Sequence, residues 1–408
     1  MSNPINSGDT AWLLVCCSLV LLMTPALALF YGGMVRRKNV LSTLTLSYVF
    51  MALIGVQWVL YGYSLAFGET IGGLIGGLNF LGLNGVAGNP NPDYGKTIPH
   101  GLFAAFQMMF AVITPALITG AFVERVRFKS FLLFALIWAT LVYDPLCHWV
   151  WGKGGWLGAL GALDFAGGTV VHIAAGFSSL AFAFAIGPRK GFGKSPMEPH
   201  NIPLTVIGAG LLWVGWFGFN AGSALAANGV AVNALLTTNT SAATAGLVWM
   251  VLSWLDGRPS TLGLVTGMVA GLAAVTPASG FVTPMAAMVI GAVAAPLCYY
   301  GIRFRDKRKL DESLDVWACH GLASTWGMIA TGLFATVGVN SAGANGLFYG
   351  NPGQLAIQLL AIGATMAFTF GVTFLLAKVL DWSIGLRVTT VEEEVGLDIS
   401  AHGERAYS

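Results

Sequence analysis

Eleven long apolar segments constrain the fold of this chain more than any other feature of its sequence. A helix needs about 20 mostly apolar residues to cross the roughly 30 Å hydrocarbon core of a bilayer. Segments near that length run over residues 12–35, 41–67, 100–123, 131–150, 167–186, 202–225, 235–255, 262–278, 282–302, 316–337 and 355–380. Only 9% of the 408 residues are charged, against about 25% in a typical soluble domain. We therefore expect an all-α polytopic membrane protein of about eleven helices and exclude a soluble globular fold.

The distribution of Lys and Arg predicts the orientation of these helices. When successive loops are assigned alternately to two sides, all but two of the 20 basic residues fall on one side, and only Lys96 and Lys153 fall on the other. The positive-inside rule makes the basic side cytoplasmic. We therefore expect an odd number of helices, with the N-terminus outside and the C-terminus inside. The polar start of the chain lacks Lys and Arg, so we expect the first helix to be retained rather than cleaved as a signal peptide.

An irregular stretch near the middle of the chain, residues 187–203, predicts an internal repeat. It separates five helices from the next five, whose orientation is then inverted, and the eleventh helix is an addition. We expect a membrane domain over residues 1–381, with repeat halves at about 11–187 and 202–338 and the extra helix at about 355–380. A tail follows at 382–408. Transport sites commonly form at the interface of such inverted repeats, near the bilayer midplane.

Two histidines occupy matching places in this scheme. His172 lies in the last helix of the first half (GALDFAGGTVVH) and His320 in the last helix of the second (DVWACHG). Ionisable side chains inside a membrane are costly and mark functional sites by default. We expect the two imidazoles to meet in a pore, where each ring can donate or accept a hydrogen bond. Such a lumen favours a neutral hydrogen-bonding solute and opposes a hydrated alkali cation. The structural alternative is a buried histidine that only satisfies a backbone carbonyl.

Three acids in or beside apolar segments have a structural interpretation as well as a functional one. Asp164 precedes a helix start at residue 167, where it could bind a cation or accept backbone N–H bonds, and we favour the second role. Asp144 and Asp315 are expected to do similar work at helix ends. The five cysteines show no paired spacing and indicate neither a disulfide framework nor a zinc site.

Aromatic residues form a further signal that composition alone does not resolve. Phe106 and Phe110 share a helical face by their four-residue spacing, and Phe219 lies in GWFGFNAGS. These rings could simply fill the bundle or mark its interfaces. They could also attract a small cation as it loses water.

Several motifs in order resemble the ammonium transporter superfamily (Amt/Mep/Rh), Amt branch. They are ALFYGGMVRRKN, AFVERVRF, GALDFAGGTVVH, GWFGFNAGS, DVWACHG and the ending VEEEVGLDISAHGERAY. The resemblance implies a homotrimer with one pore per subunit, located in the plasma (cytoplasmic) membrane. It also implies transport of ammonium or ammonia, with methylammonium as a further candidate, and neither enzymatic activity nor a cofactor.

The resemblance also implies roles for individual residues. His172 and His320 would be the twin histidines of the pore. Ammonium recruitment would involve Trp151, Ser223, Phe110 and Asp164, the gate would be Phe110 and Phe219, and Phe106 would be a nearby aromatic. NH4+ would lose its proton near the gate, and NH3 would cross the hydrophobic lumen with or without that proton.

The ending resembles the family's cytoplasmic regulatory tail. The residues that carry this resemblance are Glu392, Glu393, Glu394, Gly396, Leu397, Asp398, His402, Gly403 and Glu404. The structural alternative for the acidic residues Glu392 to Glu394 is a solvated helix face. The resemblance implies contacts with neighbouring subunits and a PII-type signalling partner, which the basic cluster at residues 303–309 could help to dock.

Two other functions remain as alternatives. One is an ammonium sensor with little flux, although sensors in the family often carry a signalling domain after the last helix. The other is an electroneutral NH3 channel of the Rh type. The sequence contains no catalytic motif that would indicate an enzyme, and no feature of it suggests a nucleic-acid partner. The segment at residues 153–159 is expected to reshape an extracellular loop without touching the pore.

Overall fold

The computed structural model describes residues 4–407 and contains the eleven expected membrane helices. Nine of them, within the described residues, are long and apolar enough to cross a membrane by themselves; α8 is shorter, and α10 begins with a π-helical turn. The bounds are α1 Ser7–Met34, α2 Arg37–Phe67, α3 His100–Ala121, α4 128–151, α5 Gly168–Ile186, α6 Ile202–Gly222, α7 Gly229–Leu255, α8 Thr261–Val275, α9 Pro284–Lys307, α10 317–334 and α11 Pro352–Ile384. Asn228 starts α7 six residues earlier than predicted, because its side chain accepts two backbone N–H bonds of the first turn.

The first helices of the two predicted halves, α1 and α6, pack directly against each other. A Cβ atom added at Gly208 of α6 would lie 2.4 Å from the backbone nitrogen of Phe30 in α1. One added at Gly215 would lie 2.2 Å from Met23 Cγ. Small residues permit this close backbone approach between membrane helices. The packing agrees with an inverted repeat, while the exact halves and the separate tail domain stay predictions.

The long loop between α2 and α3 contains structure that the sequence did not predict. Strands β1 (Thr70–Ile71) and β2 (Ile75–Gly76) pair antiparallel, and Asn91 forms an isolated antiparallel bridge with Gly95. A one-turn helix at Trp156–Ala159 follows α4 on the same face of the bundle. This end of the bundle is here called the opposite face, because it lies opposite the end that carries most of the Lys and Arg residues.

The loops of that other end, here called the basic face, are joined by buried ion pairs around Glu124. This side chain is 0% exposed and lies within 3.0 Å of the guanidinium groups of both Arg36 and Arg189. Arg189 also binds Asp311 at 2.7 Å. The network therefore connects the loops that follow α1, α3, α5 and α9.

The tail forms two short helices that dock on the basic face of the same subunit. They are α12 (Thr390–Val395) and α13 (Leu397–His402). Glu393 is 2% exposed because it accepts bonds from the Lys190 backbone at 2.5 Å and from Arg387 at 2.8 Å. A fully solvated acidic face is therefore wrong for Glu393, whereas Glu392 is half-buried and Glu394 is exposed.

Asn39 connects the tail to the buried network. Its side-chain NH2 group donates to the Glu124 carboxylate at 3.0 Å, and its side-chain oxygen accepts from the Leu397 backbone N–H at 2.8 Å. Asp398 accepts from the Ser42 backbone, Glu404 donates its backbone N–H to the Asp398 carbonyl, and the His402 ring packs edge-on to Phe128 at 5.1 Å. The turns around these contacts need positive φ at Gly396 (105°) and Gly403 (69°).

We predict that Glu124→Gln destabilises the protein at neutral pH by about 3–5 kcal/mol, the usual cost of leaving a buried partner charge unpaired. Burial alone would raise the pKa of Glu124, but Arg189 and Arg36 lower it below its ordinary value. The stability from this group is therefore present above its unfolded pKa of about 4.3 and is lost as pH falls through the folded pKa. Thermal unfolding in detergent across a pH series measures it.

The matched control is Glu198→Gln, which removes an exposed carboxylate from the same face. We expect the control to unfold like the parent protein. The loss of unfolding free energy in Glu124→Gln should become smaller in acid. A loss that stays constant with pH would contradict the electrostatic explanation.

Candidate functional site

Both histidines lie in π-helical turns at the start of their helices. The turn Gly168–Ile173 opens α5 and contains His172, and the turn Trp317–Leu322 opens α10 and contains His320. Such turns are rare and often occur at functional sites. Gly167 comes just before the first turn with φ of 112°, a left-handed conformation that only glycine adopts at little cost.

The helices that carry the histidines cross at a pair of glycines. A Cβ atom at Gly176 of α5 would lie only 2.3 Å from the Cα of Gly321 in α10. One turn before Gly176, the two imidazoles face each other with ring centroids 5.2 Å apart. Their Nδ1 atoms lie 3.2 Å apart, which is a hydrogen bond. The structure thus brings His172 and His320 together, as the matching sequence positions predicted.

This contact constrains the protons of the pair. One Nδ1 must donate and the other accept, so two neutral rings adopt opposite tautomers. One Nε2 is then an acceptor and the other a donor. Within residues 4–407 the buried Nε2 of His172 has no hydrogen-bond partner. The pair can therefore offer a small solute both a donor and an acceptor.

His320 lines two narrow cavities, and His172 lines the first of them. The first, of about 10 Å³, is lined by both rings, by Trp216 and Phe219, and otherwise by aliphatic and aromatic side chains. The second, also about 10 Å³, continues past His320 to Asp315 near the basic face. A volume of about 10–15 Å³ holds roughly one water molecule. The passage is therefore apolar and wide enough only for a very small solute.

A pair of phenylalanines separates the first cavity from the opposite face. The ring centroids of Phe110 and Phe219 lie 4.2 Å apart. Phe219 also stacks on His172 at 5.8 Å, so it contacts the histidine pair directly. Phe106 is fully buried and packs edge-on to Phe110 at 5.0 Å, outside these cavities. It supports the barrier rather than lining the passage.

Beyond the phenylalanines lies an open cavity of about 290 Å³, here called the recruitment cavity. Its lining includes Trp151, Phe110 and Ser223. Trp151 meets Phe110 edge-on at 5.9 Å. The Ser223 hydroxyl donates to the Phe219 carbonyl at 2.8 Å, which leaves its oxygen lone pairs as acceptors. Aromatic faces and a hydroxyl acceptor are the groups that suit a small cation with N–H donors.

Asp164 holds the start of α5 from within. One carboxylate oxygen accepts the N–H groups of Gly167 and Gly168 at 2.8 and 2.6 Å. The other accepts the Thr169 N–H at 2.7 Å and also its hydroxyl. The Asp164 carbonyl accepts from the Trp151 indole at 2.9 Å. Four donors on a carboxylate that is 7% exposed favour the structural role expected for this acid.

Comparison with known proteins agrees with this geometry. A family model described as Ammonium Transporter Family matches residues 11–407. Ammonium transporter Amt1 of Archaeoglobus fulgidus is 52% identical over 404 residues, covering 99% of this chain and 100% of that protein. The chain belongs to the ammonium transporter family. It is an ammonium transporter rather than an enzyme, and it is a multi-pass membrane protein, as the sequence predicted.

Solved structures confirm the fold of this transporter. Mep2 of Candida albicans matches with a TM-score of 0.91 at 37% identity, covering 99% of this chain and 91% of that one. A structure described as a sensor Amt protein matches with a TM-score of 0.90 at 30% identity, covering 98% and 100%. The all-helical architecture is therefore shared by Mep2 and by a protein described as a sensor.

The helix-end roles expected for two acids of the transporter are wrong. Asp315 has φ of 63° and binds Arg305 at 2.5 Å, while the first N–H groups of α10 donate to Glu312. Asp144 lies inside continuous α4, where it accepts from the Gln57 amide at 2.7 Å. The basic cluster at 303–309 is also smaller than it appears in the sequence, because Arg305 is 9% exposed and fully engaged.

Two contacts of the transporter's site were missed by sequence reasoning. Trp216 stacks on His172 at 5.3 Å, and its indole donates to the Thr276 hydroxyl at 2.9 Å. Lys153 binds Asp93, which lines the recruitment cavity. Residues 153–159 themselves line neither the recruitment cavity nor the narrow cavities, in keeping with the expectation that they do not touch the pore. The GWFGF motif was a signal for Trp216, whereas the pairing of Lys153 with Asp93 had none.

We predict that Gly176→Ala disrupts the histidine pair of the transporter. The added Cβ would overlap Gly321, and separating the helices costs about 1–3 kcal/mol. We expect a lower thermal unfolding midpoint and slower ammonium transport. Gly210→Ala in α6 is the control, because a Cβ there meets nothing within 4 Å. Unchanged transport in Gly176→Ala would show that the close crossing is dispensable.

Proposed function

We propose that this transporter recruits NH4+ beside Trp151 and Ser223, removes its proton near the phenylalanine pair, and conducts NH3 past the twin histidines. The observation that carries this proposal is the series of cavities. The recruitment cavity ends at Phe110, the first narrow cavity begins at Phe219, and His320 lines both narrow cavities. Each step along the series is smaller and more apolar than the recruitment cavity.

Desolvation supplies the selectivity in this mechanism. In the recruitment cavity, aromatic faces and the Ser223 oxygen can replace part of the water around NH4+. A charged ion pays a large desolvation cost in the apolar passage, but NH4+ can avoid it by releasing its proton to water in the open recruitment cavity before NH3 enters. K+ has no such route. The opposed tautomers of His172 and His320 then provide hydrogen bonds to NH3 and a path on which a proton can follow.

The orientation and the partners belong to the same proposal. We infer that the basic face is cytoplasmic and the opposite face extracellular, in keeping with the positive-inside rule. We also infer assembly as a homotrimer and regulation through the docked tail, with a PII-type protein as the candidate partner. A sensor with little flux is the second candidate, because a structure described as a sensor Amt protein shares the fold.

We predict that His172→Ala lowers the ammonium-driven current about tenfold or more, since each 1.4 kcal/mol lost from a transition state costs a factor of ten. The measurement is charge movement in proteoliposomes after an NH4+ jump, with a K+ jump alongside. His148→Gln is the control, because this buried histidine bonds to Ala66 and Thr70 away from the passage. Normal selective transport in His172→Ala would overturn the twin-histidine mechanism.

The same assay separates the candidate functions. An ammonium-specific current in the parent protein supports transport of NH3 together with its proton. Internal alkalinisation without a current would instead indicate electroneutral conduction of NH3, as in the Rh alternative. Ammonium binding with neither signal would favour the sensor.

We predict that deleting residues 392–408 changes the transport rate while the preference for NH4+ over K+ is kept. Within the described residues, the tail contacts the basic face, including Lys38 at the start of α2 and Lys190, and none of the residues that line the first narrow cavity. The ratio of NH4+ to K+ current measures the preference. A K+ current in the truncated protein would tie the tail to the pore itself.

A further inference from the structure

Asp93 stands between two cavities on the face that we propose to be extracellular. It lines the recruitment cavity together with Trp151 and Ser223. It also lines a larger cavity of about 460 Å³, whose wall includes Glu69 and Lys153. A cation that passes from this larger cavity into the recruitment cavity therefore passes the Asp93 carboxylate. Neither the sequence motifs nor the mechanism above assigns Asp93 a role.

The loop that carries Asp93 is held in place by specific contacts. The Asp93 N–H donates to the Asn91 side chain at 3.0 Å. The neighbouring Tyr94 ring stacks on Phe103 with centroids 5.1 Å apart and planes within 11°. The Tyr94 hydroxyl donates to the Phe67 carbonyl at 2.7 Å. The carboxylate is thus fixed at the rim of the recruitment cavity while its side chain stays 37% exposed.

The chain itself places an ammonium group on this carboxylate. Lys153 Nζ lies 2.9 Å from Asp93 Oδ2, and the Lys153 side chain is 68% exposed. A primary ammonium and NH4+ offer the same kind of N–H donor to an oxygen. An exposed ion pair of this kind is weak and exchanges readily with other cations. The contact therefore shows which group this carboxylate accepts, and it is loose enough to be replaced.

We propose that Asp93 is an outer capture residue for ammonium ions and that Lys153 competes with the substrate for it. This inference rests on the proposed recruitment of NH4+ at the deeper cavity. The Asp93 carboxylate raises the local concentration of cations at the rim, as charged clefts do for their ligands. When Lys153 occupies the carboxylate, that attraction is neutralised. Selection between NH4+ and K+ takes place deeper, because a lone carboxylate attracts both.

The test is the ammonium concentration that gives half-maximal transport in proteoliposomes at low ionic strength, measured by current or by internal alkalinisation. We expect Lys153→Gln to lower it roughly two- to fivefold and Asp93→Asn to raise it by a similar factor, as suits a weak exposed pair. The maximal rate should change in neither variant. The effect of Lys153→Gln should vanish in the Asp93→Asn background and shrink at high ionic strength.

Lys96→Gln is the matched control. It removes the same charge from the same loop, three residues from Asp93, and Lys96 is exposed and lines neither cavity. Equal shifts in Lys96→Gln and Lys153→Gln would reduce the effect to general surface charge and overturn the inference. An unshifted Asp93→Asn would also overturn it. So would a joint fall in maximal rate and thermal midpoint, which would mean that the pair only supports the loop.

Transport by the parent protein distinguishes a failure of the capture role of Asp93 from a failure of the proposed function. If the parent transports ammonium normally and the variants do not shift, only the capture role of Asp93 falls. If the parent shows neither ammonium-specific current nor alkalinisation, the proposed transport mechanism and the capture role fall together.

Discussion

The crossing of α5 and α10 at Gly176 and Gly321 is the contact on which the rest of the site depends. Two backbones without side chains approach there closely enough for His172, one turn before Gly176, and His320, next to Gly321, to share a hydrogen bond. A helix pair separated by ordinary side chains would leave the rings too far apart for that bond. Carboxylates fix the starts of both helices from outside the passage: Asp164 accepts the first N–H groups of α5, and Glu312 those of α10. The acids thus position the histidines without placing a fixed negative charge between them.

Between the phenylalanine pair and the histidine pair, the chemistry of the passage follows from this separation of charge from path; Asp315 lines only the second narrow cavity, where Arg305 binds it. A buried carboxylate in the lumen would hold a cation, and a fully apolar lumen would give NH3 no partner. Paired imidazoles avoid both problems, because together they are neutral and still offer a donor and an acceptor. Trp216 adds a flat wall against His172 while its own N–H is satisfied by Thr276, so it contributes no free polar group. The cation-binding groups are kept on the other side of Phe110 and Phe219.

Hydropathy and charge were enough to predict the eleven helices, because the bilayer imposes one length and one backbone solution on each span. The meeting of His172 with His320 was predictable from their matched places in the two predicted halves of the chain. The acid that caps α10 was not predictable from the sequence. Glu312, Asp311 and Asp315 lie together in one irregular stretch, and which of them reaches the first N–H groups of α10 depends on the path of the backbone there. Glu393 is buried for the same reason: its partners Lys190 and Arg387 come from different parts of the chain. Contacts of this kind have no signature in local sequence.

The basic face joins the tail to the histidine helices through contacts of unequal strength. From α13, the Leu397 N–H reaches Asn39, which binds Glu124, which binds Arg189, and Arg189 binds Asp311 beside the acid that caps α10. The inner pairs are fully buried, so breaking them would expose uncompensated charge. The outer pair of Lys190 with Glu394 is about half exposed at both residues, 45% and 56%, and such pairs contribute little. A force or partner acting on the tail would therefore release α12 at its rim before it disturbed Glu124. The buried network would then still support α5 and α10.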